Sequence, residues 1–175
     1  MPTTEAVARV QLVFSLFDAD GNGYLEPTDF ELMASRTVEA LPAGSAEAGQ
    51  ALSDAFRGYG ATLTSELDAD GDGRISPEEF TAVVLDPQRF DAVVDAFAVA
   101  LSALGDPDGD GLVERPDFLV LMIAIGFQPD HIEALFDAFG PVEGDRVPVV
   151  VWADGIRDFY RPDKAGIAGD RLVTG

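Results

Sequence analysis

The sequence predicts an all-α chain of four helix–loop–helix units, arranged as two compact pairs with a short antiparallel β-bridge between the loops of each pair. Three observations predict it. One acidic pattern recurs three times: Asp18-Ala-Asp-Gly-Asn-Gly-Tyr-Leu-Glu-Pro-Thr-Asp29, Asp68-Ala-Asp-Gly-Asp-Gly-Arg-Ile-Ser-Pro-Glu-Glu79 and Asp106-Pro-Asp-Gly-Asp-Gly-Leu-Val-Glu-Arg-Pro-Asp117. Each copy is bracketed by apolar residues at helical spacing. A fourth stretch keeps the register of the pattern but has lost its acids.

Taken in order, Val7, Val10, Phe14 and Phe17 share one helical face before loop one, with Thr3 or Thr4 placed to cap that helix. After the loop, Pro27 stands where a first-turn proline is tolerated, and Phe30 and Met33 face inward. Leu41-Pro-Ala-Gly-Ser45 reads as a linker. A helix from about Ala46 to Leu67 leads into loop two, with Gly58 and Gly60 as its expected weak points. Ser76, Pro77 and Glu79 supply an N-cap, a first-turn proline and a capping-box acid, so the helix-start signal coincides with loop positions 9 and 12. That helix ends near Leu85-Asp-Pro87. Phe90, Val93, Val94, Phe97, Leu101 and Leu104 form the stripe of the next, which enters loop three, and the apolar segment Phe118 to Ile125 follows it. Ile132, Leu135, Phe136 and Phe139 then mark a helix from Pro129. Counting Gly140 as position 1 places Val147 at position 8, with Trp152 just after position 12, matching Phe30, Phe80 and Phe118 in the other copies. Val147 should therefore bridge to Val113, as Leu25 should to Ile75. The tail from Arg161 has little periodicity and is expected to be loose; the alternative folds Ile167, Leu172 and Val173 back over an apolar groove.

The repeated pattern carries the chemistry. Side-chain oxygens fall at positions 1, 3, 5, 9 and 12, with glycine at position 6 and an apolar residue at position 8. A hard cation taking six to eight oxygens at about 2.3–2.6 Å is served by that spacing, and the glycine permits the sharp turn. Acidic Asp-Gly pairs also occur in solvated turns, but that reading does not explain three coincident patterns with flanking helices. The candidate ligands are Asp18, Asp20, Asn22, Glu26, Asp29 and the Tyr24 carbonyl in loop one; Asp68, Asp70, Asp72, Ser76, Glu79 and the Arg74 carbonyl in loop two; and Asp106, Asp108, Asp110, Glu114, Asp117 and the Leu112 carbonyl in loop three. Three Ca²⁺ sites follow. Glu79 is long enough to give both carboxylate oxygens, whereas Asp29 and Asp117 are a methylene shorter. Loop two should therefore prefer Ca²⁺, and loops one and three should also accept Mg²⁺. Gly140, Val142, Gly144 and Val151 cannot hold an ion, so loop four is expected to be structural.

On these motifs the chain is identified as a member of the EF-hand superfamily, with four EF-hand units: a pair over residues 1–85, a second pair over 86–160, and a tail over 161–175. It resembles calerythrin and the sarcoplasmic calcium-binding proteins, compact chains of similar length in which one loop has usually lost its ligands. That resemblance implies a Ca²⁺ buffer or transporter rather than an enzyme. Calcium-triggered photoproteins also carry four such units, but they enclose a chromophore with several Trp, Tyr and His, whereas this chain has one Trp, one His and three Tyr. A sensor that opens an apolar groove to a protein target is the alternative; three Met and cores rich in Phe, Val and Leu speak against it.

Composition narrows the rest. With 32 acidic and 11 basic residues the formal net charge is -21, which disfavours nucleic acid and anionic membranes. The absence of Cys removes disulfides and thiol chemistry. One His and no Cys leave no basis for a nucleophile–base arrangement. No secretory pattern is visible near Met1, and the run from Phe118 to Phe127 is too short to span a bilayer. A monomeric cytoplasmic protein is the expectation.

Overall fold

A computed structural model of the chain describes residues 2–18, 20–40, 46–67 and 73–173. Eight helices appear among them: α1 (Thr4–Phe17), α2 (Pro27–Ala40), α3 (Ala46–Leu67), α4 (Pro77–Val84), α5 (Pro87–Leu104), α6 (Arg115–Ile125), α7 (Pro129–Ala138) and α8 (Val149–Phe159). Two short strands, β1 (Leu112–Glu114) and β2 (Arg146–Pro148), pair antiparallel with Val113 opposite Val147, and Leu25 forms an isolated bridge to Ile75. Both bridges join the apolar position 8 residues, as the spacing predicts. The expected linker at Leu41–Ser45 lies outside the described residues.

Local signals account for the helix ends. Thr3 caps α1, its hydroxyl accepting from Ala6 N–H. Ser76 and Glu79 close a complete capping box on α4. Asp86 caps α5 ahead of Pro87. α3 runs unbroken through Gly58 and Gly60, contrary to the expectation of weak points. The physical reason for Gly60 is close approach, since a Cβ there would sit 2.8 Å from the Phe30 ring.

The buried residues form one apolar cluster drawing on all eight helices. Tyr59 on α3 is its centre in the first half of the chain, with the rings of Phe17, Phe30, Phe80, Phe90 and Phe97 packed around it. Phe118 plays that part further on, against Phe136, Phe139 and Trp152. Such ring pairs add roughly 0.5–1.5 kcal/mol each beyond area burial. The four residues that follow position 12 (Phe30, Phe80, Phe118 and Trp152) are all buried, so each loop is tied to the core by its exit residue.

The tail is docked, contrary to the expectation of a loose terminus. Residues Ala168–Leu172 form a 3-10 turn against α7, α8 and α1, and Leu172 is buried beside an apolar cavity of about 50 Å³. The reason is Arg9, which the apolar stripe of α1 did not reveal. Its side chain is fully buried, and all five guanidinium N–H groups find acceptors: the carbonyls of Phe159, Arg161 and Lys164, the last taking two bonds, and Asp170 Oδ1 at 2.6 Å. Thr3 N–H donates to Pro162 O, and His131 Nδ1 lies 3.0 Å from Leu172 O. A buried cation is tolerated only with this degree of satisfaction.

Asp170→Asn removes the counter-charge of Arg9 and is expected to cost about 2–3 kcal/mol, read by urea unfolding. The phenols of Tyr59 and Tyr160 are buried and bonded to each other at 3.2 Å. Burial pushes both up, Tyr160 to about 12. An unfolded chain loses these protons near pH 10, so stability should fall as pH climbs past about 10. An alkaline absorbance titration should show both phenols ionising together with unfolding; independent ionisation of either in the folded chain would contradict the burial.

Candidate metal centres

Loop one begins where α1 ends. Asp18 caps that helix, its amide bonding Phe14 O, and its carboxylate accepts from the amides of Asn22 and Gly23. The Asp20 and Asn22 side chains accept from the next amides along, those of Asn22 and Tyr24. The chain thereby wraps around its own carboxylates. Gly23 at position 6 takes φ 86°, a conformation that a side chain would disfavour. Asp29 in the first turn of α2 is buried and accepts from Glu26 N–H at 2.9 Å. Loop three repeats the plan: Asp110 and Gly111 amides donate to Asp106, and Gly111 has φ 84°.

These turns bring carboxylates together. Asp18, Asp20 and Asp29 form one group and Asp106, Asp108 and Asp110 another, each offering oxygens within 4.8 Å of one another. Oxygens at about 2.3–2.6 Å from a shared cation stand no more than about 5.2 Å apart, so both groups fit a Ca²⁺-sized ion. The twelfth residue differs between the two. Asp29 belongs to its group, whereas Asp117 is not among the mutually close oxygens of loop three. Glu26 and Glu114 also stand apart from the groups; the side chain of Asn22 bonds Glu26 at 3.1 Å. Tyr24 N–H and Leu112 N–H bond the side chains at position 5. In loop two, Asp68, Asp70 and Asp72 lie outside the described residues, while Ser76 and Glu79 make the capping box and Arg74 lies beside Glu26.

Crowding leaves its mark on protonation. Desolvation, reinforced by the neighbouring Asp108 and Asp110, raises the Asp106 carboxyl against the pull of the Gly111 amide. Asp108 is lowered, chiefly by the Asp110 amide and then by Asp106. Partial burial, and the charge of Asp108, raise Asp117.

Loop four solves the same problem differently. Val142 and Arg146 bridge into a tight turn, and Asp145 occupies the position 6 conformation with φ 59°. The Arg115 guanidinium, from position 10 of loop three, bonds both Asp145 oxygens, at 2.6 and 2.9 Å, together with Asp137 at 2.8 Å and Glu133. It also lies 4.5 Å from the Phe136 ring centroid. Asp145 is lowered by this partner, and Arg115 is raised in turn. A side-chain cation thus gathers the acids around loop four. The sequence alone did not single out Arg115. The available signal was the spacing of Glu133 and Asp137, one turn apart on α7 and facing that arginine.

Residues 7–85 match the EF-hand domain pair family. Residues 7–85 thus carry an EF-hand domain pair, and the chain as a whole has the four-EF-hand fold of calcium-binding proteins. Within that class it is similar to calerythrin from Saccharopolyspora erythraea, 27% identical over 168 residues that span 91% of this chain and 94% of calerythrin. It is also similar to the structure of a Streptomyces coelicolor calcium-binding protein, with 28% identity, TM-score 0.70, and coverage of 91% of this chain and 99% of that one. Calcium-loaded apo-aequorin from Aequorea victoria shares the fold at TM-score 0.71 but only 12% identity, over 94% of each chain. No helix among the described residues is long and apolar enough to cross a membrane.

Arg115→Ala strips three carboxylates of their shared partner. It is expected to lower the stability of chelator-treated protein by about 2 kcal/mol in urea unfolding. Arg115→Lys should recover little, because an ammonium cannot fork across Asp145.

Proposed function

We propose that the chain is a calcium buffer or carrier that keeps its apolar core closed whether or not metal is bound. Three loops would hold the ions. Loop one would use Asp18, Asp20, Asn22, Glu26, Asp29 and the Tyr24 carbonyl. Loop two would use Asp68, Asp70, Asp72, Ser76, Glu79 and the Arg74 carbonyl. Loop three would use Asp106, Asp108, Asp110, Glu114, Asp117 and the Leu112 carbonyl. A bound dication supplies the positive charge that these carboxylates lack, and the chain's own groups set the fit. Hydrogen bonds such as Gly23 N–H to Asp18 hold the oxygens inward. The short Asp29 and Asp117 lower the coordination number toward six, which suits Mg²⁺ at loops one and three, while Glu79 favours Ca²⁺ at loop two. In this reading residues 1–85 and 86–160 act as two pairs, each joined through its bridge.

The observation that carries the buffering role is the Arg9 latch. Opening a groove beneath the tail would expose a guanidinium whose five hydrogen bonds are all satisfied inside. A sensor needs an opening that costs little, and this one is expensive. The competing reading draws on the Streptomyces coelicolor relative, which is described as acting in calcium-mediated regulation. Exposed Leu32, Val120 and Ile123 on α2 and α6 could serve a partner in that case.

Calorimetric titration should give three calcium ions per chain, with Mg²⁺ competing at two of them and no calcium-dependent rise in hydrophobic-dye fluorescence. Fewer than two ions would end the proposal, and a strong dye response would favour the sensor. Asp117→Glu lengthens the ligand that stands outside its group. It is expected to raise calcium affinity at loop three roughly tenfold and to reduce magnesium competition there, as read by the same titration.

A further inference from the structure

In both bridged loop pairs, an arginine at position 7 of the later loop reaches across the bridge to a carboxylate of the earlier loop. Arg74 Nε lies 3.4 Å from Glu26 Oε1, and the guanidinium also lies over the Tyr24 ring at 5.8 Å. An Arg146 terminal nitrogen lies 3.6 Å from Asp110 Oδ2. The bridge register produces the arrangement: position 8 faces position 8, so the position 7 arginine stands opposite position 9 of its neighbour, as Arg146 does opposite Glu114. Asp110 belongs to the group of mutually close carboxylates in loop three. Arg146 is held where it stands by a second bond, Nε to Glu143 O at 3.2 Å, and its side chain is 33% exposed against 56% for Arg74. The arrangement at loops three and four is an exchange. Loop three's arginine, Arg115, serves the acids around loop four, and loop four's arginine serves an acid of loop three.

We propose that Arg146 and Arg74 are affinity-setting residues, built-in cations that oppose the dication at the earlier loop of each pair. The inference rests on the calcium-binding reading of loops one and three. Arg146 partly neutralises Asp110, a carboxylate of the loop three group, and each guanidinium places a like charge beside its cage, which weakens binding there. The deeper burial of the Arg146 side chain makes its effect the larger. The opposition is electrostatic and partly exposed, so salt screens it.

The test uses the full chain with Arg146→Gln, Arg74→Gln and, as a control for net charge, Arg36→Gln on α2, well away from the loop at that helix's start. Calcium is titrated by NMR at low ionic strength and again in 1 M KCl. The Gly111 amide reports loop three and the Gly23 amide loop one, because each donates to the first ligand of its loop at 2.9 Å. Arg146→Gln is expected to tighten calcium at Gly111 by about three- to thirtyfold at low salt, and by less than about twofold in 1 M KCl. Arg74→Gln should tighten Gly23 by a smaller factor, and Arg36→Gln should move neither site by more than about twofold. Unchanged or weaker affinity in Arg146→Gln, a gain matched by Arg36→Gln, or a gain that survives high salt would overturn the proposal. A wild-type Gly111 amide that ignores calcium would overturn the calcium reading of loop three itself, and this inference with it.

Discussion

Carboxylates held within 4.8 Å of one another repel, and that repulsion is the constraint on which the rest of the molecule depends. Two unit charges about 4 Å apart oppose each other by roughly 1 kcal/mol in water and about 4 kcal/mol at an effective dielectric of 20. Loops one and three concentrate such pairs, on a chain whose formal net charge is -21. Each loop therefore requires positive charge from somewhere. Divalent ions can supply it where the oxygens converge. Where the ligands have been lost, Arg115 supplies it, gathering Asp145, Asp137 and Glu133 around one planar cation. At loop four the positive charge among these acids comes from a side chain.

The helices answer a second requirement, that apolar faces be covered. Each exit residue after position 12 points into the core, so the geometry of a loop is transmitted to Phe30, Phe80, Phe118 or Trp152. The β-bridges hold neighbouring loops in register, and the rings around Tyr59 and Phe118 fasten the helices to one another. Stability and metal binding are thus linked by contact: a cation at about 100 times its dissociation constant adds roughly 2.7 kcal/mol to the folded state of whatever it binds. The Arg9 latch closes the far side of the same core and binds the chain's end to its first helix.

Much of this was legible in the linear chain because the relevant interactions are local. The Asp-x-Asp-Gly spacing, the capping box at Ser76 and Glu79, and the paired position 8 residues all act within a dozen residues, so sequence distance stands in for spatial distance. Gly60 was misread because its reason lies in another helix, in the ring of Phe30. Arg9 was unreadable for the same cause: its acceptors lie from Phe159 to Asp170, and an arginine inside an apolar stripe gives no sign of that destination. Asp29 and Asp117 look equivalent as letters, yet only Asp29 joins its neighbours within the ligand group.

The sequence by itself determined the helix–loop–helix repeats, the register of the bridges and the acids that gather in loops one and three, because backbone turns and hydrogen bonds of short range dictate them. Tertiary structure alone decided which cation answers which acid and whether the tail lies free or docked. Those outcomes turn on charges and apolar surfaces that meet only after the helices have packed, and Coulomb attraction and burial depend on distance in space, not along the chain.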